Sequence, residues 1–450
     1  MTKIILFSIL TVIGLSSCKK FLNVGNPKTK LIDETVFENE QSATGVLTGI
    51  YGELSQNTIE LTSVKVSSNL GFAADEMIYA AGNSYDVLIN NTYTAETGQG
   101  NIWGRAYRYI YMATTAINGL ENSGISVATK NQLIGESYFV RAWSYFYLVN
   151  IYGDVPLVLS TDYQETSFIP RTPKQEVYAQ IIGDLKSAKQ YLQPTYPTAD
   201  KARPNKWTAT ALLARVYLYL GQWANAENEA TDLLSSGLYT PLPLPENTFL
   251  KNSKETIWQF ASVVPGINTY EGNTFLPVSA NTIPPYLLRP NLVDSFESGD
   301  RRKLNWIKQN TISGQVFYYP AKYKVRSGAD ISELSIVFRA AEIYLIRAEA
   351  RAQQNNLTGA AADLNVIRSR AGLPATTATT PTEYLDAIFR ERKFELFTEW
   401  GHRWFDLIRT GNANTVLGAL KPTWRPTAAL FPIVTQVLLS NPQLTQNPGY

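Results

Sequence analysis

Two stretches of this chain repeat one spacing of small and apolar residues. Ala214, Tyr217, Gly221, Ala226 and Ala230 lie within Trp207 to Gly237. Ala348, Arg351, Asn355, Ala360 and Leu364 lie within Arg339 to Gly372. In both, the steps are three, four, five and four. Steps of three and four keep residues on one helical face. Small residues there let two antiparallel helices approach closely, and Gly221 or Asn355 makes the turn between them. Few folds other than a pair of close-packed helices satisfy such a pattern.

The pattern resembles the tetratricopeptide repeat, a helical hairpin of about 34 residues. Arg351 stands where an aromatic is usual, so the second copy is weaker, and the two copies are too far apart in sequence for a tandem array. Other segments are helical too. Trp103 to Leu120 puts Ala106, Ile110, Ala113 and Ile117 on one face. Glu136 to Tyr152 is apolar almost all round and is expected to be buried. Thr172-Pro173-Lys174-Gln175 and Thr380-Pro381-Thr382-Glu383 read as capping boxes, opening helices to about Leu192 and Trp400. A further helix is expected from Phe37 to Leu54, capped by Asp33 or Glu34. The segments 37–120 and 143–192 read as further degenerate hairpins, with loops inserted between their helices. Trp103, Trp143, Trp207 and Trp223 are expected in the core.

Residues 57–100 show no sustained period and predict loops and short strands. Residues 237–337 are broken by prolines, from Pro241 to Pro290, and predict a loop-rich insert in the helical frame. Such inserts are where binding surfaces usually sit. The last residues, from Leu430 to Tyr450, read as irregular chain packed on the body.

The start of the chain reads as a targeting segment. Lys3 precedes an apolar run from Ile4 to Leu15 that is too short to span a bilayer as a helix. Leu15-Ser16-Ser17-Cys18 resembles the bacterial lipobox, which implies cleavage after residue 17 and diacylation of Cys18. The alternative is an ordinary signal peptide with an incidental cysteine. Cys18 is the only cysteine in the sequence. The mature body therefore offers no disulfide, thiolate nucleophile or Cys-ligated zinc. His402 is the only histidine, which excludes a multi-His metal site. It reads as structural, since no nucleophile elbow accompanies it. A net charge of +2 gives no field to steer nucleic acid.

Several segments, taken in order, resemble one family. CKKFLNVGNP follows the cysteine. WGRAYRYIYMATTAIN and ESYFVRAWSYFYLVNIYGDVPLV form paired helices. FRAAEIYLIRAEA, ERKFELFTEWGHRWFDLIRTG and FPIVTQVLLSNPQLTQNPGY complete the chain. The set is similar to the SusD/RagB family of Bacteroidetes outer-membrane lipoproteins. The resemblance implies a mainly α fold: about four tetratricopeptide-like hairpins form a frame, and a loop-rich, irregular subdomain binds ligand. It divides the chain into a signal peptide (1–17), a lipidated tether (18–35), a SusD-like N-terminal helical region (36–236), the insert (237–337) and a C-terminal region (338–450). It implies a surface-exposed lipoprotein, not an enzyme and without cofactor. Such a protein captures oligosaccharides and delivers them to a SusC-like TonB-dependent transporter. Peptide or glycopeptide cargo is an alternative, as is a glycoside hydrolase using Glu391 and Glu395.

The candidate ligand-binding residues are Tyr79, Asn83, Tyr85, Asp86, Tyr270 and Tyr286. Tyrosine offers a ring face and a hydroxyl edge. Asn83 and Asp86 offer groups that pair with hydroxyls. The same loop also reads as merely solvated, and both readings stay open. In the insert, Tyr270 sits in the polar loop Gly266 to Gly272. Tyr318, Tyr319, Tyr323 and Trp306 divide between site and core. Asp75 and Glu76 are adjacent and so make a poor catalytic pair, though a cation there is possible. Glu391, Glu395 and Glu399 share a helical stripe crowded by arginines, and Arg339, Glu342, Arg347 and Glu349 form a similar group; both read mainly as intramolecular ion pairs.

Overall fold

The computed structural model describes residues 34–56, 60–97 and 102–450. The expected signal peptide, Cys18 and all but the end of the expected tether lie outside them. The first described turn is a 3₁₀ helix, Glu34–Glu38. Helix α1 (Glu40–Leu54) follows, capped by Asn39 and not by Glu34; Asp33 lies outside the described residues. The Asn39 side chain accepts from the backbone N–H groups of Gln41 (2.8 Å) and Ser42 (3.3 Å), satisfying donors that the first helical turn leaves free.

Residues 57–100 depart from the sequence expectation. Ser63–Ala73 is a helix, α2, in which every residue but Lys65 is buried. A segment covered on all sides has no polar face and so shows no amphipathic period. After it come strand β1 (Met77–Tyr79) and a single helical turn, α3 (Asp86–Ile89).

The frame consists of α4 (Ile102–Glu121), α5 (Val127–Tyr152), α6 (Lys174–Tyr191), α7 (Lys206–Tyr219) and α8 (Trp223–Ser235). After the insert it continues with α11 (Ala340–Gln353), α12 (Leu357–Arg370) and α13 (Pro381–Leu396). Each helix packs on the one before it, and α8 packs directly on α11. The two copies of the spacing pattern are therefore neighbours in space although residues 236–339 separate them. Their turns use left-handed backbone at Gly221 (φ 66°) and Asn355 (φ 60°).

Of the two capping boxes, Thr380 forms one reciprocally with Glu383, but Thr172 does not. Pro173 caps α6 without a side-chain bond, and Thr172 instead makes a two-way bridge with Val155 (3.0 and 3.3 Å). Helix α5 starts at Val127, before the expected Glu136, because its exposed first turns carry no apolar face.

The insert contributes β2 (Thr256–Phe260), α9 (Tyr270–Phe275), β3 (Tyr286–Leu288), α10 (Arg301–Trp306), β4 (Ile307–Ile312), β5 (Gln315–Pro320) and β6 (Ser335–Arg339). Among the described residues the strands form three antiparallel ribbons: β1 with β3, β2 with β6, and β4 with β5. Strand β6 runs straight into α11, which ties the insert to the frame. Trp143, Trp258, Trp306, Trp400 and Trp404 are fully buried in one core built from all parts of the chain. Trp103 is buried as well. Trp207 and Trp223 are half-buried at the core's margin and not inside it. Helix α14 (His402–Arg409) follows α13 after a turn at Gly401. The end of the chain is irregular apart from Thr435–Ser440.

Candidate functional site

The β1–β3 ribbon pairs Tyr79 with Tyr286, joining the N-terminal segment to the insert. Tyr85, at the start of α3, completes a trio. The Tyr79 and Tyr85 rings are 4.8 Å apart at 76°. Tyr79 and Tyr286 are 5.2 Å apart at 70°, and Tyr85 and Tyr286 are 6.3 Å apart at 51°. The Tyr85 and Tyr286 hydroxyls lie 3.5 Å from each other. All three rings are half-buried.

Phe72 of α2 is the floor of this cluster. Its ring centroid is 6.3 Å from Tyr79, 4.9 Å from Tyr85 and 5.9 Å from Tyr286. Phe275 of α9 supports Tyr286 from the side at 5.4 Å. Phe72 stacks on Tyr286 and meets Tyr79 edge-on, and such ring pairs add stabilisation beyond area burial. Burial, then Tyr85, pushes the Tyr286 phenol up, so its hydroxyl stays a proton donor. Phe72 and Phe275 were not among the sequence candidates. Nothing in the unpatterned 57–100 segment marks Phe72 as different from any core ring.

Asn83 is exposed in the turn between Tyr79 and Tyr85, and Asp86 is exposed as the first residue of α3. The Asn83 carbonyl accepts from the Asp86 backbone N–H at 3.1 Å, which leaves both side chains free to meet a ligand. Tyr270 stands apart. The expected polar loop becomes helix α9 from Tyr270 onward, with the Thr269 side chain accepting from the Gly272 N–H (3.0 Å). Tyr270 and Phe275 are five positions apart and so face different directions on that helix. Phe275 reaches the trio, and Tyr270 makes no ring contact with it. Of the other insert aromatics, Trp306 and Tyr323 are buried, and Trp306 Nε1 donates to the Pro245 carbonyl at 2.8 Å. Tyr318 and Tyr319 are half-buried on β5.

Asp75 and Glu76 lie buried just before β1. Asp75 accepts from Arg403 at 2.7 and 3.0 Å, and Lys393 sits 3.7 Å away. Burial, then the Asp75 charge, raises Glu76 to about 8. Its Oε2 accepts from the Thr398 N–H at 3.3 Å, while Oε1 has no partner. Among the described residues no group of three or more His, Cys, Asp or Glu is placed to hold a metal ion.

The three glutamates expected on one helical stripe are caged, but α13 ends at Leu396 and not near Trp400, so only Glu391 and Glu395 lie on it and Glu399 sits in the turn that follows. Glu391 pairs with Arg302 (2.7 Å) and Arg368 (3.2 Å). Glu395 pairs with Arg302 at 3.1 Å and also with Arg339 and Arg370. Glu399 pairs with Arg339 at 2.8 Å and with Lys322. Burial opposes ionisation of Glu395, but Arg370, Arg339 and Arg302 hold it far below the usual carboxylate range. A hydrolytic pair needs one protonated carboxyl facing substrate; Glu395 is fully buried and ionised. His402 is also buried, and burial followed by Arg215 and Arg392 keeps it neutral.

The fold and the patch together define a tetratricopeptide-type helical frame that carries an aromatic surface on inserted segments. Two family profiles match most of the chain: one described as "Starch-binding associating with outer membrane" over residues 20–218, the other as "SusD family" over residues 269–450. The chain belongs to the SusD/RagB family. It is 25% identical to SusD-like protein P25 of Formosa agariphila, over 96% of this chain and 97% of that protein. It is 24% identical to a SusD-like protein of Bacteroides ovatus, over 85% and 78%. Among solved structures, a SusD-like protein from Bacteroides fragilis superposes with a TM-score of 0.81 at 22% identity, covering 95% of this chain and 100% of the other. A laminarin-binding SusD-like protein gives 0.78 at 24% identity, covering 92% and 100%. These structures share the mainly α fold.

Proposed function

We propose that this chain is a lipid-anchored, surface-exposed outer-membrane protein. In this reading it binds oligosaccharides on the Tyr79–Tyr85–Tyr286 platform and passes them to a SusC-like TonB-dependent transporter. The observation that carries the reading is the platform itself: three half-buried tyrosines from two distant segments, held together on a Phe72 floor. Ring faces stack on sugar C–H surfaces, and the hydroxyls with Asn83 and Asp86 pair with sugar hydroxyls. The family description and the laminarin-binding relative support a glycan as cargo. The Leu15–Cys18 lipobox supports anchoring through Cys18. No helix among the described residues is long and apolar enough to cross a membrane.

Isothermal titration of the mature chain against a panel of oligosaccharides, with peptides as competitors, tests this. Binding to at least one glycan is expected, and Tyr85→Ala and Tyr286→Ala should each weaken it about ten-fold. Purification from outer membranes should also bring down a large β-barrel protein. Binding of peptides in place of glycans would replace the cargo, and binding of neither would sink the proposal.

A further inference from the structure

Trp223, expected in the core, instead lines an open cleft of about 520 Å³ in the helical frame. Four segments form it: the α7–α8 turn, the end of α11, the first turns of α13, and the end of α14 with the turn after it. None of its residues belongs to the tyrosine platform. The volume falls within the roughly 300–1,000 Å³ of small-ligand sites.

The walls are held in place. Gly221 turns the chain with left-handed backbone (φ 66°), and the Trp223 ring lies against that turn. Phe389 of α13 is backed by the Arg403 guanidinium, 4.8 Å from the ring centre. The most enclosed lining groups are Glu349 and Arg409, whose side chains are each 8% exposed. Arg409 donates to both Glu349 oxygens (2.5 and 2.8 Å) and to Asp406 (2.8 Å). Its guanidinium also lies 5.6 Å from the centre of the Tyr219 ring.

These groups narrow the class of ligand. Arg409 is committed to two carboxylates, so the cleft offers no site for an anion. Asp386 is the one unpaired charge among the lining residues, and a single carboxylate does not hold a metal ion. A wholly apolar ligand would leave the polar lining without partners. Gln353 and Asp386 are exposed and make no side-chain hydrogen bond or ion pair with other described residues. Asn412 gives its Nδ2 to Thr410 (2.9 Å) and keeps its carbonyl oxygen. The half-buried Trp223 indole supplies a flat face for sugar C–H groups, and the carboxylate and amides pair with hydroxyls.

We propose that this cleft is a second glycan site, separate from the platform, which takes a neutral mono- or disaccharide unit through Trp223, Gln353, Asp386 and Asn412. The proposal extends the glycan reading to the frame, but the two sites share no residue, so either can fail alone.

Calorimetric titration of the full mature chain with neutral oligosaccharides tests it. Three proteins are compared: wild type, the platform variant Tyr85→Ala with Tyr286→Ala, and that variant with Gln353→Ala and Asp386→Ala added. Wild type should bind at two sites per chain, and the platform variant should retain one. Adding Gln353→Ala and Asp386→Ala should weaken the retained site about ten-fold, and Trp223→Ala in their place should do the same. If Trp223→Ala fails to fold, the two exposed positions still decide the matter. Loss of all binding in the platform variant would overturn the second site and leave the platform standing. Retained binding that ignores Gln353→Ala and Asp386→Ala, or a peptide taken up at this cleft in place of sugar, would overturn it as well. Glycan binding that responds to the cleft substitutions and not to the tyrosine pair would leave the cleft and remove the platform. No glycan bound by any of the three would overturn both.

Discussion

Glu76 immediately precedes the strand that carries Tyr79, with one carboxyl oxygen on the Thr398 N–H and the other without a partner among the described residues. Its pKa is raised from 4.5 to about 8 by burial and by Asp75. Between those two values the folded protein keeps a proton that the unfolded chain gives up, so stability declines as pH rises through this window. Glu76→Gln cannot ionise. It should match wild type near pH 4.5 and exceed it by a few kcal/mol near pH 8. Melting temperatures across that range check this, and a stability gain that does not grow with pH would mean the carboxyl is charged in the fold. At this scale the sequence was partly legible. Tyr79, Asn83, Tyr85, Asp86 and Tyr286 combine tyrosine rings with small polar groups, which suit sugars, and the structure brings these five into one patch or its adjoining turn. Tyr270 has the same chemistry and stands apart, because a helix begins there and turns its ring away. Trp223 gave no signal of its cleft, since the cleft exists only where four separate segments meet.

Helix α2 decides how the patch is built. It carries Phe72, and its C-terminal carbonyls are held by Lys421. Its other side is held by the turn after α13, where the Trp400 N–H donates to Ser67 Oγ at 2.8 Å. The same turn needs Gly401 twice over. Its φ is 73°, and a Cβ there would collide with the Leu70 side chain. Gly401→Ala should therefore cost about 2 kcal/mol or more. Because Leu70 is two residues from Phe72, ligand affinity should drop with it. Urea unfolding and titration on the same variant check both, and unchanged affinity would uncouple this turn from the platform. Elements with a strong period, such as α4 and the two repeat hairpins, could be read from the chain directly. Helix α2 could not, because complete burial erases the contrast between its faces. The two capping boxes show the same limit: Thr380 and Thr172 precede similar residues, but a long-range bridge to Val155 claims Thr172.

At the scale of the whole molecule the N-terminal and C-terminal regions interlock. Arg215 of α7 pairs with Glu342 of α11 at 2.6 and 2.7 Å, both fully buried. Arg403 pairs with Asp75, and Trp258 of the insert packs against Tyr51, Phe139 and Phe338. Residues 36–236 and 338–450 expressed separately should each be protease-sensitive, because separation leaves charges such as Arg215 without their partners, a loss of about 3–5 kcal/mol per broken pair. Limited proteolysis of the two pieces, alone and mixed, checks this; a resistant isolated piece would show an independent fold. The sequence by itself determined the helical frame, through a periodicity that any buried amphipathic helix must carry, and the family, through segments spread over the chain. It also offers the run Leu15 to Cys18, which resembles a lipobox and lies outside the described residues. Only the tertiary structure decided that the two repeats stack on each other, that Tyr286 meets Tyr79 and Tyr85, and that Trp223 lines an open cleft. The physical reason is common to all three: local spacing records which face of an element is buried, whereas partners distant in sequence are fixed by packing and charge pairing across the whole core.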